Sequence, residues 1–384
     1  MSGFEFATAT EIAFGRGRIA ELGKRTRALG SRVLLVTGAR PERTRPVVER
    51  SGSAALVVAS LAIPTEPTTS DVERGVRLAR EAHADVVVGI GGGSALDAAK
   101  AVAALTTNPG EPLDYLEVVG RGRPLVSAAL PCVLVPTTAG TGSEVTKNAV
   151  LAVESEHVKV SLRGLALLPR LALVDSELTH GLPPDVTAAT GLDALTQLLE
   201  PYVSSARGPL TDALSVEGMR RSARSLRRAF DDGSDADARD DLALASLFGG
   251  LCLANAKLGA VHGFAGPLGG ALHAPHGALC ARLLPEVMQQ NLAHARSSGD
   301  SDLLARFQAV AKILTGRSDA EPEAGVLWVR ELVEALRIPR LAHYGLTQER
   351  TADIVERARV SSSMKGNPVE LAKDELFAIL ERAR

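Results

Sequence analysis

The chain has 384 residues, beyond the size at which one hydrophobic core stays single, so two domains are expected. Hydrophobic residues make up 45%, charged residues 23% and aromatics only 3%, so the core must be built from Ala, Leu and Val. A formal net charge of −2 gives no electrostatic case for nucleic acid or an anionic membrane as a partner, and no uninterrupted apolar run approaches the roughly 18 residues that span one.

In chain order, residues 1–17 carry acids and no long apolar run, unlike a signal peptide. Apolar, β-branched runs closed by glycine or proline follow at Ser31–Gly38, Ala54–Ala59 and Asp85–Gly89, with two more at Pro131–Val135 and Leu171–Asp175. These read as buried parallel strands, and Ile19–Leu29, Thr69–Ala82 and Ser94–Leu105 as the helices between them. The pattern predicts an α/β domain with a mainly parallel sheet over residues 1–180, with Thr179–Pro184 marking its end. Beyond it, Ala/Leu-rich amphipathic patterns run through 185–204, 209–230, 239–260, 278–295, 301–316, 322–336, 347–359 and 369–383, so residues 181–384 should be all helical. Asp231–Asp241 reads as an exposed acidic loop. Cys132, Cys252 and Cys280 lie far apart in apolar surroundings without a C-x-x-C, as small buried hydrophobes of a reducing compartment do. A cytoplasmic protein is the expectation.

Val86–Lys100, VVVGIGGGSALDAAK, is a strand, a glycine turn and a helix start. Gly91, Gly92 and Gly93 let backbone approach a ligand, and Ser94 is expected to cap the new helix, whose free N–H groups attract a pyrophosphate. The plainer alternative is a tight turn with no ligand, and G-x-G-x-x-G is absent. Val133–Ser143 offers hydroxyls at Thr137, Thr138, Thr141 and Ser143 for a ribose, a nicotinamide amide or a phosphate, although hydroxyl-rich turns also occur without ligands. Strand 31–38 ends in Gly38, followed by Arg40 and Arg43. A carboxylate there would repel a 2′-phosphate, so its absence leans towards NADP over NAD.

Leu258–Gly277, LGAVHGFAGPLGGALHAPHG, holds His262, His273 and His276, three of the chain's eight histidines. Imidazole suits divalent first-row metals. As one straight helix, 262 to 276 would span about 21 Å, too far for a single ion. Gly266-Pro267, Gly269-Gly270 and Pro275 are where the chain is expected to turn back. Three ordinary histidines in a glycine-loosened helix hairpin is the alternative.

Taken together, FGRG at 14–17, GGGSALDAAK at 91–100, PTTAGTGSE at 136–144, LVDSELTHGLP at 173–183, GLDAL at 191–195 and VHG…APHG at 261–277 resemble the iron-containing (group III) alcohol dehydrogenases. The resemblance covers nearly the whole chain. It implies a dinucleotide-binding α/β domain and an all-helical metal and substrate domain, with hydride transfer between NAD(P) and an alcohol or carbonyl polarised by Fe²⁺ or Zn²⁺ in the interdomain cleft. It also implies a small-molecule substrate and a homodimer or larger homo-oligomer. The metal ligands map onto Asp193, His262 and His276, while the fourth position holds Gln197 instead of histidine. An amide oxygen is a weak donor, so iron or zinc should be held less tightly. The histidine that many members carry four residues after His262 is Gly266 here, leaving proton delivery to His273, a water or the substrate. Asp97, Lys100, Lys159 and Leu178 match the family's cofactor side, and Arg163 is a candidate for a substrate carboxylate. The two departures also suit a weakened metal site, a metal-independent reductase or a relative of the maleylacetate reductases. More distant alternatives are a lyase like dehydroquinate synthase and a non-catalytic nucleotide-binding protein.

Overall fold

The computed structural model describes residues 3–156 and 158–384, so the first two residues of the N-terminal segment lie outside it. The chain divides into two compact units, each with its own core.

Ala7–Thr138 and Gly142–His180 form an α/β unit. Its elements in order are β1 (Glu11–Phe14), α1 (Leu22–Arg27), β2 (Val33–Thr37), α2 (Pro41–Arg50), β3 (Val57–Ala62), α3 (Thr69–Glu81), β4 (Val86–Gly91), α4 (Gly93–Thr107), α5 (Pro112–Tyr115), β5 (Cys132–Pro136), β6 (Asn148–Val153), β7 (Val158–Arg163) and β8 (Leu171–Val174). Six strands make one parallel sheet in the order β1-β8-β5-β4-β2-β3. The central strands β4, β5 and β8 are buried at every residue, which is why they read as continuous apolar runs. On one face α1 and α2 pack through Leu22, Val47 and Val48; on the other, α3 and α4 pack through Val72, Val76, Leu96 and Val102. The chain leaves β2 for β3 and leaves β4 for β5, in opposite directions. The carboxyl ends of β2 and β4 therefore flank the reversal point where open α/β sheets bind ligands.

The α/β unit corrects several expectations. Residues 54–56 form a short 3₁₀ turn and the third strand begins at Val57, and Ile19–Leu29 is broken into a 3₁₀ turn and α1. The edge strand β1 and the antiparallel hairpin β6–β7 were not anticipated. The hairpin lies over α4, where the Val150 N–H donates to Asp97 Oδ2 at 2.9 Å. FGRG and LVDSE meet at Asp175, whose carboxylate accepts from the N–H groups of Gly17 (3.1 Å), Ile19 (2.9 Å) and Glu177 (3.1 Å), so this pair of motifs holds the β1 and β8 ends together.

The second unit comprises Gly181–Arg384, Ala139–Thr141 and the N-terminal residues up to Phe6. It contains α6 (Pro184–Val203), α7 (Pro209–Asp231), α8 (Ala236–Asn255), α9 (Ala260–Leu272), α10 (His276–Ser298), α11 (Ser301–Thr315), α12 (Pro322–Ala335), α13 (Gln348–Arg359) and α14 (Lys373–Ala383). Among the described residues it has no strand, and no single helix of the chain is long and apolar enough to cross a membrane. Helix α6 is the central post, with buried residues on every side. Gly277 lets α10 close on it: a Cβ there would stand 2.2 Å from the Ala189 carbonyl oxygen.

Two sequence expectations fail here. The pattern at 239–260 is not one helix, because α8 ends at Asn255 and α9 starts at Ala260 after a bend of 97°. Of Asp231–Asp241 only residues 232–235 are loop: Asp231 ends α7, Asp235 caps α8, and Asp241 is buried, receiving Arg221, Arg224 and Ser225 at 2.6–2.8 Å.

Candidate active site

At the carboxyl end of β4 the backbone passes directly into α4. The helix starts at Gly93, its cap residue is Gly92 in extended conformation, and no side chain caps it. Ser94 is therefore not the cap expected from sequence but the second helical residue, Gly93 being the first. The first-turn N–H groups are left without a side-chain acceptor, the arrangement that receives an anion. Gly91 and Gly38 lie side by side, since a Cβ on Gly91 would stand 3.3 Å from the Gly38 nitrogen, and a Cβ on Gly92 would lie 3.4 Å from Thr138 Oγ1. Nothing stands within 4 Å of a Cβ on Gly38. The structure thus gathers Gly38, Gly91, Gly92, Gly93, Ser94, Thr137 and Thr138 at neighbouring strand ends.

Other candidates on this side are engaged within the protein. Ser143 is buried and donates to Asp97 Oδ1 at 2.5 Å. The fully buried Lys100 ammonium donates to the Ser143 carbonyl (2.9 Å), Thr146 Oγ1 (2.9 Å) and the Asn148 carbonyl (2.5 Å), and pairs with Asp97 at 3.0 Å. Burial pushes the neighbouring Glu144 carboxyl up to about 7, against the pull of its own backbone N–H and of Lys100. Lys159 pairs with Glu66 at 3.2 Å, Arg163 with Glu117 at 3.0 Å, and Leu178 packs on the apolar cluster beneath the sheet. Thr141 is grouped with the helical unit.

The helical unit carries the second constellation. Of the three expected turn points only Pro275 is used: α9 runs through Gly266, Pro267, Gly269 and Gly270 to Leu272, and the reversal comes at His273–Pro275. His273 ends α9 in left-handed conformation (φ 51°) and is exposed. His262 in the first turn of α9, His276 at the start of α10 and Asp193 in mid-α6 are thereby brought together. Asp193 Oδ1 lies 3.5 Å from His262 Nε2 and 3.8 Å from His276 Nε2. Gln197, one turn after Asp193, is buried and its amide nitrogen donates to the Gly140 carbonyl at 3.3 Å. Three buried polar atoms here have no hydrogen-bond partner: Asp193 Oδ1, His262 Nε2 and Gln197 Oε1. Leaving such atoms bare is costly, so a shared cation between them is the natural complement, and the donor chemistry fits a divalent first-row metal.

Two residues of this constellation escaped the sequence reading. Glu200 is buried, its Oε2 2.6 Å from His262 Nδ1 and its Oε1 2.8 Å from the Val261 N–H donor. A carboxylate only accepts, so Nδ1 carries the proton and donates, and the Nε2 face is turned towards Asp193. Asp193, Gln197 and Glu200 at i, i+4, i+7 share one face of α6, a spacing visible in the sequence. The other residue is Cys280, one turn after His276, whose sulfur is 3.6 Å from His276 Nε2. Cys132 and Cys252 behave as expected: burial pushes both thiols up to about 12. Cys280 does not, because His276 and His262 outweigh its burial and draw its pKa down. The same charges act in reverse on the histidines. Cys280 leads in raising His276 to about 9 against burial; for His262, burial is the largest influence but Cys280, Glu200 and Asp193 outweigh it. Asp193 stays below its ordinary range despite burial because His262 and His276 face it.

Comparison with known proteins places this geometry. Residues 9–176 match the family model described as iron-containing alcohol dehydrogenase, and residues 187–384 match the model of the C-terminal domain of the Fe-containing alcohol dehydrogenase family. The chain is 35% identical over 382 residues to alcohol dehydrogenase 4 of Schizosaccharomyces pombe, covering 96% of this chain and 86% of that one. It is 37% identical over 390 residues to long-chain-alcohol dehydrogenase 1 of Geobacillus thermodenitrificans, covering 96% and 94%. The crystal structure of a 1,3-propanediol oxidoreductase superposes over 100% of both chains with a TM-score of 0.91 at 30% identity. Both halves of the chain, matched end to end in sequence and in three dimensions, make it a member of the iron-containing alcohol dehydrogenase family.

Proposed function

We propose that this oxidoreductase of alcohols and aldehydes uses NADP(H), acts in the cytoplasm, and holds a divalent metal through Asp193, His262 and His276. The observation that carries the metal assignment is the pair of buried, unpartnered atoms Asp193 Oδ1 and His262 Nε2, 3.5 Å apart. The bound groups would supply Lewis-acid polarisation of the substrate oxygen and hydride exchange at nicotinamide C4.

The chain's own residues do the rest. Gly92, Gly93 and Ser94 present the amino end of α4 to the pyrophosphate. Thr137 and Thr138 offer hydroxyls beside it, and Asp97 and Ser143, bonded to each other, keep the following loop in place. Gly38 leaves room, and Arg40 and Arg43 leave positive charge, where a 2′-phosphate would lie. Glu200 fixes the tautomer of His262, turning its Nε2 to the site. The exposed His273 carries the alcohol proton to water.

The test is the metal content of the purified protein beside its turnover of a panel of aldehydes with NADPH and NADH. Asp193→Asn, nearly isosteric, should lose both metal and turnover. A variant that keeps both at the unmodified level overturns the ligand assignment, and equal or better turnover with NADH overturns the nucleotide assignment.

A further inference from the structure

Cys280 is completely buried, yet its sulfur faces the polar cluster. One donor atom each from Asp193, His262, His276 and Cys280 lies within 4.8 Å of every other. The separations are 3.5 Å for Asp193–His262, 3.8 Å for Asp193–His276 and 3.6 Å for His276–Cys280. The two nitrogen–oxygen distances are longer than hydrogen bonds. All three instead approach the edges of a tetrahedron around one ion: bonds of about 2.0–2.3 Å give edges of about 3.3–3.6 Å. Two corners, Asp193 Oδ1 and His262 Nε2, are the buried atoms without a partner.

We propose that Cys280 is a metal ligand, completing an Asp193–His262–His276–Cys280 set of protein donors that favours Zn²⁺ over Fe²⁺ and takes the substrate oxygen as a fifth donor. The inference rests on the metal-site reading above. On binding, the Cys280 thiol gives its proton to solvent as the sulfur–metal bond forms. Thiolate and Asp193 carboxylate together offset the two charges of the ion, which suits a buried position better than a neutral amide would. A soft sulfur donor selects zinc from the metals that imidazole and carboxylate accept alike. Gln197, whose amide nitrogen is turned to the Gly140 carbonyl, then braces the site from beside Asp193 on α6. Its Oε1 is the competing fourth donor, so the test must separate the two.

The experiment uses the full chain stripped with a chelator and reloaded with Zn²⁺ or Co²⁺. The cobalt form of the unmodified protein should show a thiolate-to-metal charge-transfer band in the near ultraviolet, a readout that needs no variant. Cys280→Ser should abolish that band and weaken zinc roughly tenfold or more, while Gln197→Ala keeps the band. Cobalt bound without the band, or zinc held by Cys280→Ser as by the unmodified protein, overturns the assignment of Cys280. If Asp193→Asn meanwhile loses the metal, only the sulfur ligand is wrong. If the unmodified protein takes up neither ion, the metal site itself falls, and this inference with it.

Discussion

Glu200 grips His262 from two helical turns beyond Asp193: its Oε2 receives the Nδ1–H at 2.6 Å while its Oε1 receives the Val261 N–H at 2.8 Å. One carboxylate thus fixes the ring of His262 and the backbone of the residue before it, both on another helix. Glu200→Ala should lower metal affinity by roughly 10- to 100-fold, since the ring loses its orientation and its basicity. Glu200→Gln, which keeps the shape but not the charge, should fall between. Competitive chelation measures both, and an alanine variant that binds metal as tightly as the parent would show that Glu200 does not position the ligand.

Gly277 sets the distance between α10 and α6. An added Cβ would stand 2.2 Å from the Ala189 carbonyl oxygen and 3.4 Å from Asp193 Cβ, so Gly277→Ala must push the helices apart between His276 and Asp193. A loss of about 1–3 kcal/mol in denaturant unfolding is expected, together with lower metal occupancy. Unchanged occupancy at reduced stability would mean that the helix spacing and the ligand spacing are independent.

At Gly38 a new side chain has space, because a Cβ there meets nothing within 4 Å. Gly38→Asp should therefore fold normally and place a carboxylate where it repels a 2′-phosphate and binds a 2′-hydroxyl. The kcat/KM for NADPH should fall roughly tenfold or more while that for NADH holds or rises, about 1.4 kcal/mol of lost discrimination per decade. Equal effects on both nucleotides would place the ribose elsewhere.

Glu144 makes stability depend on pH. Burial raises its carboxyl to about 7 from the ordinary 4.5, so between those values the folded chain keeps a proton that the unfolded chain has released. Its contribution is complete below pH 4.5 and is lost as the pH rises through 7, to the extent of about 3 kcal/mol. Glu144→Gln should flatten that part of the stability–pH curve in urea titrations; a variant curve parallel to the parent's would remove Glu144 as the cause.

His273 combines a strained backbone with a proposed proton role, and two substitutions separate them. His273→Gly should raise stability by about 1 kcal/mol by relieving the left-handed conformation, whereas His273→Ala should not. If the imidazole carries the proton, both should lower kcat by roughly 100-fold at unchanged metal content. If both retain full kcat, water alone serves.

The sheet was legible because its inner strands are buried on both faces and read as unbroken apolar runs, with β4 closed by the glycines that open α4. Its margins were not. β1 is four residues at an exposed edge, and β6–β7 is a hairpin whose alternating burial was lost among the parallel strands around it. In the helical unit, Asp193, Gln197 and the histidines stood out as polar residues in apolar segments. Cys280 did not: among Ala and Leu a thiol looks like one more small hydrophobe. Its role depends on three helices meeting, which no spacing along one of them reveals. The break between α8 and α9 was hidden for a similar reason, since Ala256–Gly259 carries no proline and its one glycine sits at the very end.

The buried Lys100 ammonium is met by the carbonyls of Ser143 and Asn148, by Thr146 Oγ1 and by Asp97. The segment from Ser143 to Asn148 is therefore already anchored to α4 before any nucleotide arrives. Little disorder remains there to be frozen out on association, so any ligand that rests against this segment would lose little of its binding energy to ordering it.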